Sequence, residues 1–212
     1  SMLWLKRIRT VAWVLVAVLG FLSASIFLGW WKIDGPGSRQ SQSAPLQEIP
    51  GVPQIGGAFS LINHKGERVS EKTFLGRPKL VFFGFTHCPD ICPTTLLEIT
   101  NRLQKLGSGA DRIQVLFISA DPERDSPSQM AEYISSFDPR IVGLTGSQAE
   151  VDAVAKAYRA IARRVPNAEG GYTVDHTASV FMMDSNDRLV GLIDFHEQDA
   201  MALAKMRRLA PL

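Results

Sequence analysis

Hydrophobic patterning changes character twice along the chain. From Thr10 to Trp31 no charged residue occurs. As a helix this stretch would be roughly 33 Å long, enough to cross a hydrocarbon layer of about 30 Å. Lys32 to Pro53 is polar and rich in Gly, Pro, Ser and Gln, the composition of a flexible tether. From residue 54 on, short apolar runs alternate with amphipathic stretches and turn residues, as in a packed domain. The pattern predicts a cytoplasmic stub and transmembrane anchor (1–31), a tether (32–53) and one globular domain (54–212), which is long enough to bury its own core.

Within that domain, Phe59–Ile62 and Glu67–Ser70 read as a hairpin turning at Lys65-Gly66. The continuous apolar runs 79–85 and 113–119 read as buried strands, and the spacing of Leu96, Ile99 and Leu103 predicts a helix running to about Leu106. A helix from about Ser128 to Phe137, a short strand at Ile141–Leu144 and a helix from Ser147 to about Ile161 follow. Arg163 to Val174 has no period and reads as a polar excursion. Ala178–Met183 and Leu189–Ile193, joined by Ser185-Asn186-Asp187, predict a second hairpin, and a last helix spans roughly Gln198 to Leu209.

An early βαβ unit followed by an antiparallel hairpin and a closing helix is the thioredoxin-like arrangement. The expected fold class is therefore α/β: a thioredoxin-like domain with an N-terminal hairpin, preceded by a single transmembrane helix. Ligands in such sheets bind beyond the carboxyl ends of the parallel strands. That edge collects the loop after residue 85, the run Asp121–Asp125, and the approach to the strand beginning near Ala178, where His176 sits.

Charge orients the anchor. Lys6, Arg7 and Arg9 precede it and no acidic residue does, so the N-terminus should stay in the cytoplasm and the rest should be exported. Trp30 and Trp31 suit the far interface. Ser23-Ala24-Ser25 would suit a cleavable signal peptide, but the apolar run continues past it, which favours a retained anchor. No Arg/Ser-rich transit segment precedes the anchor, so the expected location is a bacterial inner membrane, single-pass, with the C-terminal domain in the periplasm. The chain carries 23 Lys and Arg against 21 Asp and Glu. With the anchor set aside the domain is near neutral and gives no reason to expect nucleic-acid binding.

Both cysteines of the chain fall in Phe85-Thr86-His87-Cys88-Pro89-Asp90-Ile91-Cys92-Pro93, where a strand turns into a helix. Backbone N–H groups and the helix dipole favour thiolate there. The turn residues around them argue against two buried core cysteines. The i,i+4 spacing predicts both sulfurs on one helical face, able to grip a small ion or to join as a disulfide in an oxidising exported compartment. Of the four histidines, His64 reads as a solvated turn residue and His196 as a helix-start residue. His87 could donate a nitrogen beside Cys88, and His176 is the first candidate as a third ligand. Two thiolates and one imidazole are too few for a closed zinc site. Soft sulfur donors and low coordination suit Cu(I), and added oxygen or nitrogen ligands could hold Cu(II). Asp121 and Asp125 read equally as caps for the helix after them and as residues that tune the site or dock a partner.

FTHCPDICP (85–93), ISADPERDSP (118–127) and YTVDHTASVFMMD (172–184) together resemble the Sco/SenC proteins, copper-binding assembly factors of cytochrome c oxidase. The resemblance runs over most of residues 50–210. It implies that Cys88, Cys92 and His176 bind one copper, that Asp121 supports the site, and that the copper goes to the dinuclear copper centre of an oxidase subunit. The implied partners are that subunit and a copper donor protein. The same dithiol would also serve a different class of function, a thiol–disulfide oxidoreductase acting on the apo oxidase subunit or other exported proteins. Thioredoxin-type oxidoreductases carry a proline just before the strand facing the active site, where this chain has His176-Thr177-Ala178, which favours copper. A peroxidase reading is weak, because cysteines this close leave no separate resolving thiol.

Overall fold

The computed structural model describes residues 2–27 and 54–211. The expected tether (32–53) and the interfacial Trp30 and Trp31 lie outside the described residues. The chain divides into two compact units, residues 1–52 and 53–212. In the first, α1 (Met2–Phe27) contains Trp4–Ser25, 22 residues of mean hydropathy 1.8, long and apolar enough to cross a membrane. It starts before the apolar run, because Lys6, Arg7 and Arg9 are good helix formers and extend it.

The second unit is a mixed α/β domain with a thioredoxin-like fold. Its seven-stranded sheet has the order β2-β1-β5-β4-β3-β8-β9. The expected N-terminal hairpin is β1 (Ser60–Asn63) with β2 (Arg68–Ser70). β3 (Lys79–Gly84), β4 (Gln114–Ser119) and β5 (Ile141–Thr145) run parallel. β8 (Val180–Met183) lies antiparallel against β3, and β9 (Leu189–Ile193) closes the far edge. Every residue of β3 is buried, because helices cover both sheet faces. Leu80 and Phe82 face one core with Leu96, Ile99 and Leu103 of α2 (Ile91–Leu106), Met130 of α3 (Pro127–Ile134) and Met206 of α5 (Asp199–Leu209). Val81 and Phe83 face the other, against Val151, Val154 and Tyr158 of α4 (Gln148–Tyr158). Alternate residues of one strand thus feed two cores, as the period of two requires.

The polar excursion is the main departure. Ala162–Pro166 (β6) and Tyr172–His176 (β7) pair antiparallel as a separate two-stranded sheet, with Ala162 opposite His176. To reach it, α4 stops at Tyr158 instead of running to Ile161. Arg159 takes a left-handed conformation (φ 52°), and the next residues lead straight into β6.

Candidate metal centre

β3 ends at Gly84, and the loop from Phe85 to Asp90 leads into α2. Cys88 lies in this loop and only Cys92 is helical, so the two thiols do not share a helical turn as the spacing predicts. Pro93 is the reason. It has no N–H to bond the carbonyl four residues back, so it fits only the first turn, and the helix cannot begin as early as Cys88. The Cys88 sulfur nevertheless closes on the helix end and accepts the Cys92 backbone N–H at 3.5 Å. Asp90, at the cap position, makes no side-chain cap.

Cys92 is fully buried, and Gly84 makes its seat. A Cβ on Gly84 would lie 2.7 Å from the Cys92 sulfur and 2.7 Å from the Phe117 ring. His176 comes to the thiols from the end of β7. Its Nδ1–H donates to the Thr177 carbonyl at 3.1 Å, which leaves Nε2 of the neutral ring with its lone pair free. Nε2 stands 3.3 Å from the Cys92 sulfur and 4.0 Å from that of Cys88. Phe82 and Phe85 meet the imidazole edge-on, with centroids 5.9 and 5.7 Å away. The three candidate ligand atoms lie within 4.8 Å of one another, and both thiols are free.

The thiols are unlike. The pKa of Cys88 is held down to about 4, first by a hydrogen bond from the Cys92 thiol and then, against burial, by the backbone N–H groups of Asp90 and Cys92. Cys92 is pushed up, because it keeps the proton it shares with Cys88 and is buried. The pair therefore consists of a half-exposed thiolate and a buried thiol. A cation entering between them would displace the Cys92 proton.

The other residues named from sequence separate clearly. His87 is exposed, with Nδ1 3.0 Å from the Thr86 hydroxyl, and it is not part of the ligand group. His64 is not merely solvated: its Nδ1 accepts the Gly143 N–H at 3.2 Å and ties β1 to β5. His196 does not start a helix, since α5 begins at Asp199; it sits in a left-handed turn (φ 60°) with Nδ1 3.1 Å from Glu98. Neither Asp121 nor Asp125 caps α3, because Ser126 does, in a reciprocal pairing with Gln129. Both carboxylates are instead fully buried. Asp125 accepts the hydroxyls of Thr86 at 2.6 Å and Ser119 at 2.7 Å, and burial raises its pKa. Asp121 pairs with Arg124 and accepts the Tyr172 hydroxyl. Gly84, Thr86, Tyr172 and Arg124 are the contributors that sequence reasoning missed. All four lie in or beside the three motifs, Gly84 and Thr86 at 85–93, Arg124 in 118–127 and Tyr172 in 172–184, but nothing local says that they meet.

A family model described as SCO1/SenC matches residues 47–211. The chain belongs to the SCO1/SenC family. Among solved structures of this family, Bradyrhizobium japonicum ScoI with copper bound is 45% identical, with a TM-score of 0.68 over 73% of this chain and 99% of that one. The Sco protein described by the identification of a disulfide switch in BsSco, a member of the Sco family of cytochrome c oxidase assembly proteins, is 25% identical, with a TM-score of 0.61 over 76% of this chain and 96% of that one. The mitochondrial SCO1 homolog of Homo sapiens is 37% identical over 82% of this chain. The chain spans about half the length of the mitochondrial relatives it matches, 58% of the human one.

Proposed function

We propose that Cys88, Cys92 and His176 together bind one copper ion, and that the protein is a membrane-anchored copper chaperone delivering it to the dinuclear copper centre of cytochrome c oxidase. The observation that carries this reading is the placement of His176 Nε2 3.3 Å from the Cys92 sulfur. Dithiol chemistry needs no third donor, whereas a metal site does. Two sulfurs and one imidazole suit Cu(I), and among the described residues the group holds no fourth Cys, His or carboxylate that would complete a structural zinc site. The half-exposed Cys88 leaves a route for an incoming partner's thiol, so copper can be exchanged as well as held. Residues 1–31 would anchor the protein in a bacterial inner membrane. Residues 32–53 would tether domain 54–212 in the periplasm, within reach of a copper donor protein and the oxidase subunit. Asp121 would support the site through Tyr172, which stands on the strand that ends in His176.

The test is metal analysis of residues 54–212 loaded anaerobically with Cu(I), wild type beside Cys88→Ala, Cys92→Ala and His176→Ala. One copper per chain is expected for the wild type, none retained against a Cu(I) chelator in either cysteine variant, and strongly weakened retention in His176→Ala. Full retention in a cysteine variant overturns the assignment.

The asymmetry of the thiols favours one further reading, a thiol–disulfide reductase. The Cys88 thiolate would attack a target disulfide and release one target thiolate. Cys92, giving up its proton, would then displace the second, leaving the target with two thiols and this chain with a Cys88–Cys92 disulfide. An external dithiol would regenerate it.

A further inference from the structure

His176 stands on a part of the fold with little core of its own. In β6 and β7 only Val174 is buried, and a two-stranded ribbon is marginal by itself. A polar cluster supplies the attachment. The Tyr172 hydroxyl donates to Asp121 Oδ1 at 3.1 Å. Asp121 Oδ2 pairs with Arg124, and Arg164 of β6 lies 3.7 Å from Oδ1. The Arg124 and Arg164 guanidinium groups stand 4.0 and 4.8 Å from the Tyr172 ring centroid, and Arg164 also pairs with Glu123. The same short segment grips the cysteine loop. Asp125 takes the Thr86 hydroxyl, and the Arg124 guanidinium lies 5.8 Å from the Phe85 ring. Residues 121–125 therefore touch both ligand-bearing segments, and each is fixed relative to the other through them.

We propose that Asp121, Arg124 and Tyr172 form a latch that sets where His176 stands relative to Cys88 and Cys92, with Tyr172 as the positioning residue on the ribbon. The proposal rests on the metal reading of the site. Tyr172 touches no ligand atom directly; it acts by holding the strand that ends in His176. Removing its side chain leaves Asp121 paired with Arg124, so no unpaired buried charge results and the domain should still fold. The ribbon, however, loses both its hydrogen bond and the contacts of the ring with two guanidinium groups.

Three variants decide the matter: Tyr172→Ala, Tyr172→Phe and Tyr172→Ala combined with His176→Ala, beside His176→Ala alone. Tyr172→Ala should weaken Cu(I) binding about 10- to 100-fold, the usual cost of losing a group that supports a ligand from behind. Tyr172→Phe, which keeps the ring and its cationic neighbours, should recover most of that loss. In the His176→Ala background, Tyr172→Ala should cost nothing more, because the latch acts only through His176. Amide hydrogen exchange of the copper-free protein should quicken at residues 162–166 and 172–176 in Tyr172→Ala and stay unchanged in β3 and β4. An equal loss of affinity in the His176→Ala background would overturn the latch, as would unchanged exchange in the ribbon. If the ribbon loosens but His176→Ala itself leaves copper affinity untouched, the latch stands and the metal reading falls.

Discussion

Gly84 and Cys92 meet where a side chain cannot fit: a Cβ on Gly84 would stand 2.7 Å from the Cys92 sulfur. The strand end and the first turn of α2 are thus packed against each other through the candidate ligand atom itself. Beyond that contact, β8 returns antiparallel along β3, and His176, at the end of β7 and a short link ahead of β8, comes to the same edge. Two contacts, one local and one topological, make the three-donor group.

Gly84→Ala should therefore act on the site more than on the fold. The added methyl must push away the Cys92 sulfur, the Phe117 ring or both, at a cost of about 1–3 kcal/mol typical of overpacking. Chemical denaturation should show that loss, and Cu(I) competition should show weaker binding than the stability change alone explains. Copper affinity equal to the wild type would mean that Cys92 has room the structure does not show.

Cys88 and Cys92 should react at very different rates. Cys88 is half-exposed with its pKa held down to about 4, so it remains thiolate well below neutral pH. Iodoacetamide should alkylate Cys88 at a rate nearly constant between about pH 7 and 5, and that rate should fall as pH drops through about 4. Cys92, buried and protonated, should be modified only after unfolding. Peptide mass spectrometry after brief labelling reads both, and equal labelling of the two sulfurs would contradict the asymmetry.

The long apolar helix α1, the hairpin β1–β2, the buried strands β3 and β4 and the cysteine loop were legible because each rests on an apolar run or a turn residue that acts locally. His176 was legible because topology alone sends it to the edge where the cysteines lie. The ribbon β6–β7 was not, since Ala162-Arg163-Arg164-Val165-Pro166 buries neither face and shows no alternation to read. Capping and a role in tuning or docking read equally for Asp121 and Asp125, because the groups that hold them are distant in sequence: Tyr172 is 51 positions from Asp121 and Thr86 is 39 from Asp125. The late start of α2 was in principle readable: Pro93 forbids the helix from reaching back to Cys88, a stronger constraint than the i,i+4 spacing of the sulfurs.

His64 should make stability depend on pH. Its Nδ1 accepts the Gly143 N–H, which only the neutral ring can do, and burial holds its pKa below the ordinary 6.5. Folding therefore favours the neutral form. The contribution is fully present above the unfolded value of about 6.5 and is lost as pH falls through the lower folded pKa. His64→Asn, whose side-chain oxygen can accept the same N–H without titrating, should flatten the difference in unfolding free energy between about pH 7.5 and 5.5. Parallel pH profiles for wild type and His64→Asn would show that another group sets the slope.

The choice between copper delivery and thiol reduction turns on His176. A reductase needs the dithiol alone, and both Cys88→Ala and Cys92→Ala would disable it while His176→Ala would not. A chaperone needs all three donors, since two sulfurs leave the ion open to competing thiols. In cells lacking the native protein, His176→Ala at matched protein level should abolish copper-dependent oxidase assembly while its Cys88–Cys92 disulfide stays reducible. Added copper should restore part of the oxidase activity, because mass action offsets a weakened site. Neither cysteine variant should be rescued to the same extent. Full oxidase activity from His176→Ala at low copper, with both cysteine variants inactive, would remove the chaperone reading and leave the accessible Cys88 thiolate as the working group of a reductase.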